Sequence, residues 1–235
     1  MVASSPETLA VVDGVCATAA EPMRQDEWGI DLALTASQKA IGVPPGLGLL
    51  VAGPRAIETF RKRTKPVGSF YSDWTEWLPI MQAYEGRKAS YFATPPVNLV
   101  WALHTSLKEI LSEGMESRFA RHKKMSDAFK AAVSALGLKQ LPGKPEVFAT
   151  TLTAVYYPQG VDKGILKLIE EAGVIVAGGL HPAVRDKYFR VGHMGAVTAS
   201  DIVSTVAAIE AGLSRSGYKF AIGSGVTAAQ KVLSS

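Results

Sequence analysis

One lysine, Lys39, stands in the run "ALTASQKAIGVPPGLGLLVAG" (33–53), with only small, apolar and neutral polar residues around it. An amine that loses hydration in such surroundings favours its neutral form, which is nucleophilic and condenses with aldehydes. Taken alone, the residue reads as a solvent-exposed turn lysine between two strands. A carboxylate, Asp13, closes the apolar run "TLAVVDGVCA". Alone it reads as a turn or cap residue after a strand.

The elements that carry these two groups join them. "TLAVVDGVCA", "DLALTAS" and "LGLLVAG" are short β-branched or apolar runs that read as three buried strands, which predicts a parallel or mixed α/β sheet. Ligands of open α/β sheets bind at the carboxyl edges of strands, and Asp13 and Lys39 both fall there. Pyridoxal phosphate asks three services of a protein: an amine for its aldehyde, a carboxylate to keep its ring nitrogen protonated, and donors for its phosphate. Lys39 and Asp13 suit the first two, and Ser37 and Gln38 add neutral donors for the third.

Downstream, "SFYSDWTEWLPIMQAYEGRKASYFATPP" has no clear period and reads as a long ordered loop. "VNLVWALHTSLKEILSEG" and "MESRFARHKKMSDAFKAAVSALG" carry helical spacing, as two helices or one kinked at Gly114. Beyond "LPGKPE" the order is strand ("VFATTLTAVYYP"), helix ("VDKGILKLIEEAG"), strand ("VIVAGG"), strand ("YFRVGHM") and a closing helix capped by Thr198 or Ser200. That order predicts a small α+β domain with an antiparallel sheet. The expected division is 1–113 and 114–235.

Length and composition fit an ordinary globular protein with one large core or two modest ones. Lysine plus arginine exceed aspartate plus glutamate by 25 − 21 = 4, with the two signs interspersed. This argues against a nucleic-acid partner, and the basic run Phe60 to Lys65 reads as a solvated face. With a single cysteine no internal disulfide forms, and Cys16 reads as a small buried apolar residue. No secretory signal or membrane-spanning run is recognised, and the C-terminus "LSS" is not S-K-L. His193 shares a face with Val191 and reads as packing. His104 and His122 lie in helical patterns without a second ligand, and His181 precedes a proline, so no metal site is inferred. Trp74, Trp77 and Trp101 read as loop and core packing.

"VVDGVCA" followed by "DEWGIDLALTASQKAIGVPPGLGLL" resembles the core of the class V aminotransferases of fold type I, most closely the alanine-glyoxylate and serine-pyruvate branch. The likeness runs over nearly the whole chain. It implies part of a pyridoxal-phosphate-binding large-domain sheet followed by the small domain. It implies that Lys39 is the Schiff-base lysine, that Asp13 pairs with the pyridinium nitrogen, that Val15 packs on the ring and that Gln38 contacts the phosphate. "SYFATPPVNL" resembles the segment whose tyrosine and threonine, here Tyr91 and Thr94, reach the cofactor phosphate of the neighbouring subunit. "FRVGHMG" resembles the motif whose arginine, here Arg190, forks the substrate carboxylate; in isolation it reads as a strand-end ion-pair residue.

The implied activity is transamination of alanine or serine with glyoxylate or pyruvate, in a family of homodimers found in peroxisomes, mitochondria and cytosol. The family carries a longer part ahead of the "VVDGV" strand, including a glycine- and serine-rich phosphate loop and a ring-stacking aromatic residue. The expectation is therefore a partial chain that does not complete the site alone. Another class V activity, or an inactive fragment serving as an interaction module, are the alternatives.

Overall fold

The computed structural model describes residues 7–235. Residues 1–6, where the search for a secretory signal begins, lie outside it. The first sheet holds β1 (Val11–Asp13), β2 (Leu32–Ala36) and β3 (Gly48–Ala52) in that order. β1 and β2 are parallel, with Asp13 opposite Leu34, and β3 returns antiparallel to β2, so the sheet is mixed. An ion pair with a buried carboxylate and a partly exposed guanidinium fixes its entry: Asp31 accepts the Ala10 amide at 2.7 Å and both Nε (2.8 Å) and Nη2 (2.7 Å) of Arg55. The guanidinium and the amide hold the Asp31 carboxyl below the usual carboxylate range.

Only part of this sheet is buried. Ala33 and Thr35 of β2 point into the protein, whereas Val11, Leu50 and Val51 are exposed. β1 and β3 are the edges of a three-stranded sheet, so an unbroken apolar run does not bury both faces here.

The aromatic segment after the sheet is not a long loop. α1 (Pro54–Arg61) precedes it and α2 (Trp74–Glu85) lies within it. Asp73 caps α2 by accepting the Thr75 amide at 2.9 Å. Pro79 inside α2 forfeits one backbone bond and blurs the apolar period, which hides the helix from pattern reading. Trp74 packs on Phe60 and Trp77 on Tyr71 and Phe92. Trp101 is 62% exposed and belongs to no core.

α3 (Val97–Glu113) and α4 (Met115–Ala135) are separate helices. Gly114 divides them at φ 82°, ψ 136°, a conformation open to glycine and closed to other residues. α4 buries Arg118, His122, Met125, Phe129 and Val133, a stripe at three- and four-residue spacing.

The second sheet has the order β4 (Leu152–Tyr156), β6 (Tyr188–Gly192), β5 (Ala177–Gly178), all antiparallel. α5 (Ile165–Glu171), α6 (Ala199–Arg215) and α4 cover it, and Phe129, Ile169, Phe189 and Leu213 fill the core between them. Thr198 and Asp201 close a reciprocal capping box at the start of α6. α6 does not end the chain's structure: α7 (Ser224–Ser234) folds back against α4 and α6. Its first turn is tied down by buried Glu210, which accepts the amides of Gly223, Gly225 and Val226 at 2.7 to 3.1 Å. A smaller apolar cluster, Ile41, Val43 and Ile110 with Leu99 and Leu103 against it, joins the segment after Lys39 to α3.

Candidate active site

Asp13 is the last residue of β1, and Lys39 follows β2 in the turn at that strand's carboxyl end. The parallel pairing of β1 and β2 brings both to one edge of the sheet. Asp13 is exposed. One carboxylate oxygen accepts the Val15 amide at 3.0 Å, a turn bond that orients the side chain and leaves its second oxygen open. Gly14 behind it is buried, and a Cβ there would collide with the side chains of Thr18 and Met23 (2.6 Å from the Met23 methyl).

The lysine turn is heavily braced. Ser37 is fully buried: its hydroxyl donates to the Pro44 carbonyl at 2.8 Å and accepts the Leu47 amide at 3.3 Å. The expectation that Ser37 serves a phosphate is therefore corrected, because its hydroxyl is spent on closing the turn. Gln38 is exposed, Lys39 half-buried and Ala40 buried. Gly42 lies at φ 78° and donates to the Lys39 carbonyl at 2.9 Å.

Tyr91 and Thr94 lie between α2 and α3, where both are exposed and their hydroxyls are 2.7 Å apart. No hydrogen bond links them to Asp13 or Lys39 among the described residues. Arg190, in the middle of β6, is half-buried, with Nε donating to the Gly178 carbonyl at 2.8 Å. Its two terminal nitrogens make no hydrogen bond among the described residues, so the fork is anchored at its base and open at its tip. Cys16 is exposed, against its reading as a buried residue, because the turn after β1 faces outward.

His193 is buried as packing. Its Nε2 lies 2.8 Å from the Thr153 hydroxyl and its ring sits beside Phe129, and burial pushes its pKa down to about 4.

Of the residues that tie these loops together, Arg118, Arg121 and Glu113 are not singled out in the sequence, and His122 is weighed there only as a metal ligand. Buried Arg118 donates from Nε to the Ala19 carbonyl (2.6 Å), from Nη1 to Glu113 (2.7 Å) and from Nη2 to the Ala40 carbonyl (2.6 Å). Arg121 donates from Nη1 to the carbonyls of Gly195 and Val197, each at 3.0 Å. His122 donates from Nδ1 to the Arg118 carbonyl at 2.8 Å, which leaves Nε2 to accept the Gly195 amide at 3.0 Å. The only trace of this in the sequence is polar residues on or beside the apolar stripe of α4; their loop partners lie 73 to 99 positions away.

Comparison with known proteins places this arrangement. The family model "Aminotransferase class-V" matches residues 2–218. The chain is 44% identical over 200 residues to alanine–glyoxylate aminotransferase 1 of Saccharomyces cerevisiae, covering 83% of this chain and 51% of that protein. It is 37% identical to serine–glyoxylate aminotransferase of Arabidopsis thaliana, over 96% of this chain and 55% of the other. The crystal structure of pyridoxamine-pyruvate aminotransferase from Mesorhizobium loti superposes with a TM-score of 0.88 at 27% identity, over 96% of this chain and 57% of the other. The chain thus spans about half the length of the relatives it matches. With a family match over most of its length and a superposable solved relative, the chain belongs to the class-V aminotransferases.

Proposed function

We propose that this chain supplies the lysine, the ring-facing carboxylate and the substrate arginine of a pyridoxal-phosphate-dependent transaminase acting between alanine or serine and glyoxylate or pyruvate. The observation that carries the reading is the placement of Asp13 and Lys39 on the carboxyl ends of adjacent parallel strands. The residues present fit the aldehyde and ring ends of the cofactor: an amine and an open carboxylate oxygen share one sheet edge. For the phosphate the described residues offer Gln38 on this edge, with the exposed Tyr91 and Thr94 hydroxyls suited to a cofactor held by a second subunit. When bound, the cofactor withdraws electrons from the substrate α-carbon.

The chain's own part is to place groups around that carbon. With the cofactor bound, Lys39 Nζ would take the proton from the substrate α-carbon, hold it, and give it back to complete the amino-group transfer. Asp13, held by the Val15 amide, keeps its open oxygen for a protonated ring nitrogen. Arg190 orients the substrate carboxylate with its terminal nitrogens while Gly178 holds Nε. Val15, half-buried beside Asp13, is the residue assigned to the ring face. The assignment of alanine, serine and glyoxylate draws on the names of the yeast and plant relatives, and that of pyruvate on the name of the Mesorhizobium loti structure. The organisation proposed is 1–113 with the cofactor-facing sheet and 114–235 with the arginine.

The test is borohydride reduction of the chain mixed with pyridoxal phosphate, followed by peptide mapping. A reduced adduct on Lys39, absent in Lys39→Ala, is expected. Label spread over surface lysines, or none, overturns the assignment.

A further inference from the structure

The loops that would carry the reacting groups are fastened by two neighbouring guanidiniums on one helix and a carboxylate on the helix before it. Arg118 reaches three segments with three different nitrogens: the turn after β1 at Ala19, the lysine turn at Ala40, and Glu113 at the end of α3. Arg121 reaches the loop after β6 at Gly195 and Val197 and shares Glu113. The two loops also touch: a Cβ on Gly195, whose φ is +85°, would meet the carbonyls of Lys39 and Ala40 at 3.6 and 3.7 Å.

A second, independent observation concerns Ala19. It sits at φ 68°, a left-handed conformation that alanine adopts at a cost, and its carbonyl is the acceptor of Arg118 Nε. Such a conformation persists where its surroundings over-determine it, so the guanidinium holds the turn after Asp13 against local preference. A cavity of roughly 320 Å³ lies beside the cluster, lined by Gly42, Ser106, Arg118, Arg121 and Thr198, so the loops here have room to shift if the bonds are lost.

We propose that Arg118 and Arg121, coupled through Glu113, are positioning residues: Arg118 sets the turns that present Asp13 and Lys39, and Arg121 sets the loop that follows Arg190. The backbone at Lys39 and Ala40 fixes the point from which the lysine side chain reaches, and a displacement of about 1 Å is costly in a reaction that depends on alignment. Only a guanidinium presents donors on three nitrogens in one rigid plane; lysine keeps the charge and loses that geometry. The catalytic part of this inference rests on the proposed function, whereas the mechanical part does not.

The experiment measures amide hydrogen exchange by mass spectrometry on the whole chain, comparing Arg118→Lys and Arg121→Lys with the parent. Arg118→Lys is expected to speed exchange at residues 17–21 and 39–43 by about tenfold or more, the opening equivalent of one lost charged hydrogen bond, with α6 and α7 still protected. Arg121→Lys is expected to act at 194–198 instead. The second readout is the induced circular dichroism of bound pyridoxal phosphate, which senses the angle at which the ring is held. Arg118→Lys should lose most of that signal while Lys39 is still labelled on reduction.

Parent-like exchange at 39–43 in Arg118→Lys, or the same loosening pattern from both variants, overturns the proposal. Loosened loops with an unchanged dichroic signal reduce Arg118 to a structural brace and overturn the catalytic part. If Lys39 of the parent is never labelled, the proposed function fails while the exchange pattern still decides the mechanical part. Glu113→Gln, which keeps the shape of the shared acceptor, replaces Arg118→Lys if that variant does not fold, and is expected to loosen both loop sets together.

Discussion

Glu113 and Arg121 meet as a fork, Nε donating to Oε1 at 2.6 Å and Nη2 to Oε2 at 3.1 Å, across the break between α3 and α4. Arg121, with Arg118 on the same carboxylate, holds the Glu113 pKa down to about 2 from 4.5. His193 is displaced for another reason, its neutral ring being buried, with a pKa of about 4.

Acid unfolding should therefore proceed in two stages. For His193 the unfolded chain takes up a proton below about pH 6.5 that the folded chain refuses, so its contribution is complete above about 6.5 and is lost as pH falls towards 4. His122, also lowered chiefly by burial, adds to this stage. The Glu113 contribution is complete above about 4.5 and is lost as pH falls towards 2. Urea midpoints measured against pH should lose part of the first stage in His193→Gln and part of the second in Glu113→Gln. A midpoint that stays flat between pH 6.5 and 4 in the parent would contradict the burial argument.

Arg190→Lys should raise the KM for the amino acid about tenfold to a hundredfold, with a smaller change in kcat, because the open end of the fork is replaced by a point charge. Steady-state kinetics on an active, cofactor-loaded form of the protein would check this. An unchanged KM would place the substrate carboxylate elsewhere.

Gly179→Ala tests how Arg190 is anchored. A Cβ at Gly179 would collide with the Arg185 carbonyl and stand 2.8 Å from the Arg185 Cα, both backbone atoms that have little freedom to give. The strain should cost about 1–3 kcal/mol in denaturant unfolding and loosen exchange at the β5–β6 pairing.

Phe129→Ala should cost about 3–5 kcal/mol, since the ring is fully buried at the centre of the larger core. Glu210→Ala should cost less, about 1–3 kcal/mol, but in one place. It strips three amides at the start of α7 of their acceptor, so exchange should rise over 226–233 before the rest of the chain responds.

Periodicity and turn chemistry carried much of the fold. The three strands around Asp13 and Lys39, the break at Gly114, and the β4-to-α6 succession all follow from local pattern. α2 and α7 did not. Pro79 disguises the first, and the second is a run of small residues whose anchor, Glu210, lies on another helix. The exposure of β1 and β3 was also hidden, because an apolar run reads as buried whether or not anything lies against it.

The residue types and spacing by themselves determined that an amine and a carboxylate end two neighbouring strands, and the quoted strings carried the resemblance to the family that the comparison shows. Only the tertiary structure decided that Ser37 is spent on its own turn, that Cys16 faces outward, and that Arg118 and Arg121 fasten loops remote in sequence. The reason is physical: strand and helix signals are carried by neighbours along the chain, whereas a buried guanidinium finds its acceptors by position in space, and sequence distance says nothing about where it will reach.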